Sequence, residues 1–247
     1  MHLEFIKILV EKINWHDALI FSLLSAGPTL LWLFICLRFD RQAPEPPRQI
    51  LKIFFWGCFI VFPIMLITVP LANLADNNLV AHSILSILVL SFLVDGIFEE
   101  LAKYLVLRFK TYNSPHFNEL RDGFVYGMIC GLGLAFVENI LYGLVAGQLS
   151  VGITTVCVRG FTTTLLHFLT GGIIGYYLAL AKFSATTNRS RRWAIWRGLI
   201  LAILLHGLYN TGIRFGWFWS IVPAFLLLAT VFKIIVYRIR NINGISI

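Results

Sequence analysis

The sequence contains few charged residues. Only 13% of its 247 residues are Asp, Glu, Lys or Arg, whereas a soluble domain has about 25%. Hydrophobic residues make up 58% of the chain, and the mean hydropathy is +0.82. This composition excludes an ordinary soluble domain and predicts an integral membrane protein. At this length we expect one domain, residues 1–247, rather than several.

Several motifs of metal binding and proteolysis are absent as well. The sequence has no GxSxG, no HExxH and no aspartates in YD and GxGD settings. These absences disfavour the serine, site-2-type zinc and presenilin-like aspartyl proteases of membranes. No CxxC pair occurs, so neither a disulfide framework nor a thiolate metal site is indicated. The cysteines are Cys36, Cys58, Cys130 and Cys157.

The basic residues lie between apolar runs rather than in one patch. The formal net charge is +8, which in a soluble protein would suggest a nucleic-acid partner. In a membrane protein the same residues set the orientation of the helices and contact anionic headgroups. We therefore expect the lipid bilayer as a partner and no nucleic acid.

Seven apolar runs are long enough to cross a bilayer as helices, which takes about 20 residues each. The predicted fold class is therefore all-α, a polytopic membrane helix bundle with about seven transmembrane helices. The runs are 18–37, 50–72, 79–107, 123–147, 158–182, 193–213 and 217–237.

Loops that are rich in lysine and arginine alternate along the chain with loops that contain few or none. The loops around 38–52, 108–122 and 182–197 are basic, whereas those at 73–78 and 148–157 contain neither residue. Cytoplasmic loops of membrane proteins carry the excess of these residues. The pattern predicts a multi-pass protein of the cell membrane, with its N-terminus outside and its C-terminus in the cytoplasm.

Charged residues interrupt the third and fourth apolar runs. The third contains the sequence EELAK, in which Lys103 lies four residues after Glu99 and three after Glu100. These spacings bring side chains together on one helix face. Glu138 and Asn139 lie in the middle of the fourth run. Because a charge inside a bilayer is costly, such residues are expected to face the interior of the bundle.

Histidines occur in the fifth and sixth runs. His167 lies within the fifth, and His206 and Asn210 share one face of the sixth. Arg159, near the start of the fifth run, is either an interface anchor or a partner of Glu138. Carboxylates, imidazoles and an amide on four helices are the parts that water activation requires: a base, an oxyanion donor and, where one is used, a metal ion.

The order and spacing of these motifs resemble the PrsW family of membrane proteases. That family belongs to a wider group with the CAAX prenyl endopeptidases and the bacteriocin-processing proteins. The similarity runs from EExxK through YGxxxGxGxAFVEN to HxxxN, roughly residues 95–211, within a motif-bearing core of about 79–213. The resemblance implies catalytic roles for Glu99, Glu100, Glu138, His206 and Asn210, with support from Lys103, Asn139 and His167.

The resemblance also implies an intramembrane endopeptidase that cleaves a membrane-bound protein, for example a single-pass anti-sigma factor. Glu99 is expected to activate water, with its charge set by the rest of the EELAK motif. A zinc ion is the alternative means of activation. Because zinc favours nitrogen and sulfur donors and the two histidines lie on different helices, a metal-free mechanism is slightly favoured. The candidate zinc ligands are Glu99, Glu100, Glu138, His167 and His206.

Two other functions fit the same polar residues. An ion- or proton-coupled transporter also uses membrane carboxylates and histidines, although no inverted repeat or pair of broken helices is evident. A non-catalytic scaffold would use the cluster for helix association. A protease must place a glutamate of the EELAK motif, Glu138 and His206 around one cavity, whereas a transporter needs a path to both faces.

The predicted depths of these residues conflict. Glu138, His167 and His206 fall in the outer half of the membrane, whereas the EELAK glutamates fall nearer the cytoplasm. A common site therefore requires that the third run is shifted or bent, and Gly96 is the candidate position.

Overall fold

The computed structural model describes residues 14–39, 44–79, 83–216 and 218–242. These residues form helices and no strand, which confirms the all-α prediction. Three contiguous segments, Ile84–Leu88, Val89–Gly96 and Ile97–Lys110, together make α3. The other helices are α1 (Trp15–Phe39), α2 (Pro47–Asn78), α4 (Leu120–Leu144), α5 (Leu149–Phe161), α6 (Thr163–Phe183), α7 (Asn188–Arg214) and α8 (Phe218–Ile242).

Apolar helices of membrane-spanning length are present. Large apolar side chains on their outer faces are exposed, for example Leu23 and Leu66, as expected where a helix faces lipid. The chain is therefore a helical membrane protein. The total of about seven spans stays a prediction, and it includes α3, α7 and α8. Four stretches of the described chain are long and apolar enough to cross a membrane: Trp15–Arg38, Pro47–Ala75, Leu120–Leu144 and Leu149–Phe183.

The structure corrects two predicted loops. The sequence predicts a loop at 148–157 before a run at 158–182, but α5 begins at Leu149, and a break at Thr162 separates it from α6. Gly152 is buried against Phe21 of α1, so tertiary packing holds this segment in a helix. The predicted turn at 73–78 is likewise wrong, because it forms the last turns of α2.

The central helix is α4, which packs on α1, α2, α5 and α6. Its contact with α6 is made backbone to backbone. A Cβ at Gly127 would clash with the carbonyl oxygen of Gly171, and a Cβ at Gly131 would clash with that of His167. Glycines at such positions let membrane helices approach closely. This contact places the backbone of His167 against Gly131, which lies about two helical turns before Glu138 on α4.

The EELAK glutamates follow a π-helical stretch of α3, residues Val89–Gly96. A π-helix has wider turns than an α-helix and frequently marks a functional site. The helix continues through Gly96, which lies against the backbone of Ile203 in α7. Side chains tilt toward the N-terminus of their own helix, so Glu99 points along α3 toward its N-terminal end. The predicted conflict of depth therefore does not arise, since Glu99 lies beside His206.

The α4–α6 contact generates a stability prediction. We expect Gly131→Ala to lower the free energy of unfolding by about 1–3 kcal/mol, because the added Cβ forces the two backbones apart. Thermal unfolding of the purified chain in detergent measures the change. Gly27→Ala in α1 is the matched control, since a Cβ there meets no atom within 4 Å. Equal losses in the two variants would contradict the close contact.

The loop charges generate a topology prediction. In a Cys157→Ser background, cysteines introduced at Pro115 and Asn188 should react only with a reagent on the cytoplasmic side, and one at Gln148 only from outside. All three positions are exposed. Labelling of whole cells and of inverted vesicles with an impermeant maleimide distinguishes the sides. Outside labelling at Asn188 would reverse the orientation.

Candidate active site

A buried ion pair lies at the centre of the polar cluster. Lys103 Nζ donates to Glu100 Oε1 at 2.7 Å and to Thr170 Oγ1 at 3.0 Å, and it lies 3.0 Å from His167 Nδ1. Neither side chain of the Lys103–Glu100 pair reaches solvent. An ammonium has three N–H donors and no acceptor, so these three neighbours satisfy Lys103. The pair is part of the helix interface and does not snorkel to the membrane surface.

The two histidines are held in different tautomers. His206 Nδ1 lies 2.6 Å from Glu100 Oε1, so Nδ1 carries the proton and Nε2 keeps its lone pair. His167 Nδ1 accepts from Lys103, which places the proton on Nε2, 2.9 Å from Glu138 Oε2. The rings meet edge to face with centroids 5.2 Å apart.

Two of the three glutamates of the cluster have a cationic partner. Lys103 pairs with Glu100, and Arg159 Nη2 lies 3.0 Å from Glu138 Oε2. No lysine or arginine in the described ranges pairs with Glu99. A buried carboxylate is expensive unless it is paired, so Glu99 is the exception in the cluster.

Glu99 points one oxygen at both imidazoles. Its Oε2 lies 3.8 Å from His167 Nε2 and 3.9 Å from His206 Nε2. This oxygen is buried and has no hydrogen-bond partner within the described chain. Such an orphaned acceptor carries a free-energy cost. It is therefore a suitable point for binding a water molecule or a cation.

Arg159, in the last turn of α5, lies beside Glu138 rather than at an interface. Its Nε donates to Asn139 Oδ1 at 3.1 Å, and its guanidinium lies 3.7 Å over the ring of Tyr142. The Asn139 amide donates in turn to Thr164 Oγ1 at 2.9 Å. Arg159 is therefore a partner of Glu138, and the hydrogen bond to Asn139 holds it there.

Asn210 is bound to Asp95 and not to the EELAK glutamates. Its Nδ2 donates to Asp95 Oδ2 at 2.9 Å, and Arg214 Nη2 donates to the same oxygen at 2.6 Å. These contacts join α7 to the π-helical part of α3. His206 therefore belongs to the cluster around Glu99. Asn210 belongs to a neighbouring group, in which it and Arg214 bind Asp95.

The sequence motifs did not indicate Thr170, nor that Asp95 binds Asn210 and Arg214. Thr170 accepts from Lys103 and donates to Glu100 Oε1 at 3.2 Å. Its position, three residues after His167, is the signal that could have indicated it. Asp95, four residues before Glu99, could have been found in the same way.

The donors meet some of the requirements of zinc. Ligand atoms of Glu99, His167 and His206 lie within 4.8 Å of one another, and two histidines with one glutamate form a known catalytic zinc set. Zinc-bound histidines usually donate their other N–H to a carboxylate, carbonyl or water. His206 does so through Glu100. His167 does not, since its Nδ1 faces an ammonium and its Nε2 proton points at Glu138. His167 therefore does not fit as the third zinc ligand beside Glu99 and His206.

A cavity of about 620 Å³ lies beside the cluster. It is lined mainly by apolar side chains of α2, α3, α4 and α5, together with the carboxylates of Asp95, Glu99 and Glu138. Its volume lies in the range of ligand-binding pockets, about 300–1,000 Å³. Glu99 and Glu138 thus share one cavity. His206 is not among the lining residues of this cavity, although its Nε2 lies 3.9 Å from Glu99 Oε2. The arrangement expected of a protease is therefore present in part.

Known proteins match most of the chain. A family model described as PrsW family intramembrane metalloprotease matches residues 45–237. The chain is 36% identical to protease PrsW of Bacillus subtilis (strain 168) over 192 residues, 77% of this chain and 82% of that protein. It is 34% identical to protease PrsW of Geobacillus kaustophilus over 192 residues, 77% of this chain and 79% of that protein. No solved structure matches.

A third relative extends the similarity over nearly the whole chain. Protease PrsW of Oceanobacillus iheyensis is 32% identical over 225 residues, which cover 90% of this chain and 96% of that protein. The family match includes every residue of the polar cluster, from Asp95 to Arg214. The resemblance indicated by the sequence motifs is therefore confirmed, and the chain belongs to the PrsW family of membrane-embedded endopeptidases.

Proposed function

We propose that this chain hydrolyses a peptide bond of a membrane-bound protein, with Glu99 as the general base. The observation that carries the proposal is the buried Glu99 Oε2, which has no hydrogen-bond partner in the described chain and faces two imidazoles, on a residue that lines a mainly apolar cavity. A carboxylate without a cationic partner is the one best able to accept a proton from water. Membership of the PrsW family supports peptide hydrolysis as the reaction.

The attacking water would bind between Glu99 and His206. Glu99 Oε2 and His206 Nε2 are both acceptors and lie 3.9 Å apart, so one water molecule can donate a hydrogen to each. As its oxygen attacks the scissile carbonyl carbon, its proton passes to Glu99. Glu99 then gives this proton to the leaving nitrogen as the C–N bond breaks.

The remaining EELAK residues would position these groups. Glu100 holds His206 through Nδ1, which keeps the Nε2 lone pair directed at the water. Lys103 balances the charge of Glu100 and fixes the tautomer of His167. His167 then orients Glu138. In this scheme Glu100, Lys103 and His167 act through their neighbours.

The oxyanion would be stabilised by Arg159. Its Nη2 lies at ion-pair distance from Glu138 but forms no hydrogen bond of good geometry within the described chain. A donor aimed at the developing charge in a water-poor site is a large contribution to catalysis. Asn210, expected in this role from its motif, is engaged by Asp95. We therefore assign Asn210 to positioning α7 against α3.

We further propose a single-pass membrane protein as the substrate, with an anti-sigma factor as the example implied by the PrsW resemblance. The apolar walls of the cavity suit a chain that comes from the bilayer. The proposed orientation is N-terminus outside and C-terminus in the cytoplasm, as the loop charges indicate.

Loss of the base tests the reaction. We expect Glu99→Gln to lower proteolysis about 10²–10⁴-fold, the usual contribution of general base catalysis. Glu100→Gln, Glu138→Gln and His206→Ala should also lower it strongly. New amino termini of single-pass membrane proteins are quantified in cells that produce each variant. Asp17→Asn, in the first turn of α1, is the control. If no such termini depend on Glu99, the proposed activity is rejected.

Chelation tests the mechanism. Because the third donor, His167, is turned toward Lys103, we expect a strong chelator to leave activity unchanged. Elemental analysis of the active, purified chain should find less than about one equivalent of zinc, the content of a catalytic site. Stoichiometric zinc that is lost together with activity in His206→Ala would instead show that the family's metal centre is assembled here.

A further inference from the structure

Tyr142 lines the same cavity as Glu99 and Glu138. It lies four residues after Glu138 on α4, and side chains at this spacing share one face of a helix. Tyr142 is 41% exposed, and none of the proposed catalytic steps uses it.

The hydroxyl of Tyr142 forms no hydrogen bond within the described chain, unlike the hydroxyls of two other tyrosines in the bundle. Tyr209 Oη lies 3.0 Å from Thr163 Oγ1, and the hydroxyl of Tyr126 donates to Glu45. A tyrosine whose ring has apolar surroundings usually finds a partner for its hydroxyl. The Tyr142 hydroxyl is therefore available to a ligand in the cavity.

The ring of Tyr142 is held by Arg159 of α5. The guanidinium carbon lies 3.7 Å from the ring centroid, a distance at which a cation is attracted to the face of the ring. Arg159 is itself bound to Glu138 and Asn139. These contacts restrict the direction of the phenol, and a group that is ordered beforehand loses less entropy when it binds a ligand.

A peptide in this cavity needs hydrogen-bond donors from the surrounding side chains. Its carbonyl groups lose water on entering mainly apolar surroundings, and a carbonyl left unpaired there is costly. The lining carboxylates, when ionised, only accept hydrogen bonds and cannot pair with a carbonyl. Among the described lining side chains, the remaining donors are the hydroxyls of Tyr142, Thr68 and Thr155.

Of these three hydroxyls, that of Tyr142 cannot bond within its own helix. A threonine in a helix can donate to the carbonyl oxygen four residues earlier, as Thr154 does to Ser150 at 3.0 Å. The phenol oxygen stands at the end of a long, rigid side chain and does not reach such a carbonyl. Tyr142 therefore depends on a ligand for its partner, whereas the threonines do not.

The spacing on α4 locates the carbonyl that the phenol can reach. Tyr142 is about 6 Å from Glu138 along the helix axis, and an extended peptide rises about 3.3 Å per residue. With the reacting bond beside Glu99 and Glu138, the carbonyl near Tyr142 is about two residues away.

We propose that the Tyr142 hydroxyl donates a hydrogen bond to a backbone carbonyl of the substrate, about two residues from the scissile bond. This inference rests on the proposed proteolysis and adds a substrate-binding residue to it. The carbonyl concerned does not react, so the bond is equally strong in the ground state and the transition state. Such an interaction lowers KM and leaves kcat unchanged.

Loss of the hydroxyl tests the inference. Tyr142→Phe removes one oxygen and keeps the ring beneath Arg159. We expect KM to rise about 2–13-fold, the equivalent of one net hydrogen bond, while kcat and thermal unfolding stay as in the wild type. The probe is a tagged single-pass polypeptide with a cleavage site mapped in cells. Tyr237→Phe in α8 is the matched control, because Tyr237 is 66% exposed and does not line the cavity.

A second measurement does not depend on turnover. In a Glu99→Gln chain, adding Tyr142→Phe should raise the Kd for the uncleaved polypeptide about 2–13-fold as well. Synthetic polypeptides with one backbone amide replaced by an ester, whose carbonyl is a weaker acceptor, then identify the carbonyl. At the position that Tyr142 binds, the ester should weaken binding less in the Tyr142→Phe chain than in its parent.

The outcomes separate the two proposals. Unchanged KM and Kd in Tyr142→Phe overturn the inference, leave the protease intact, and make Tyr142 an interfacial side chain only. A fall in kcat with KM unchanged also overturns it, because the hydroxyl would then act only in the transition state. If no cleavage depends on Glu99, the proposed proteolysis itself fails.

Discussion

The ammonium of Lys103 holds the polar interior of this protein together. It has no solvent exposure and contacts α3 through Glu100 and α6 through His167 and Thr170. A buried charge without partners would be very costly, and these contacts offset that cost. Because an ammonium only donates, it also determines which nitrogen of His167 accepts. One cation thus neutralises a carboxylate, joins two helices and sets the state of an imidazole.

The pairing of charges distinguishes one carboxyl group from the others. With Glu100 paired to Lys103 and Glu138 beside Arg159, Glu99 is the member of the cluster left without a cation among the described residues. Structural ion pairs stabilise their members in one arrangement, whereas Glu99 has only imidazoles near Oε2. Chemically identical side chains are therefore distinguished by their neighbours. The two adjacent glutamates of EELAK have different surroundings, and the proposed mechanism gives them different roles for this reason.

Helix packing delivers these groups to one place. The glycine contact between α4 and α6 sets His167 against Gly131, and the π-helical stretch of α3 lies against α7 at Gly96. Small residues allow backbones to touch, so the polar side chains beside them meet without a gap. Elsewhere on α4, α2 and α5 make no extended contact with each other among the described residues, and both line the mainly apolar cavity that Glu99 also lines.

The sequence by itself determined the all-α membrane class, the polar residues of α3, α4, α6 and α7, and the PrsW resemblance, since these depend on composition and spacing along single helices. Tertiary structure decided the partners. No local pattern shows that Asn210 binds Asp95 or that Arg159 reaches Glu138, because these pairs come from different helices. The helix at Leu149–Phe161 and the break at Thr162 were also hidden, since α5 is placed by contacts of Gly152 with Phe21 and of Gly160 with Pro28 in another helix. Spacing identifies which side chains share a helix face, but only the packing of helices determines which face meets which.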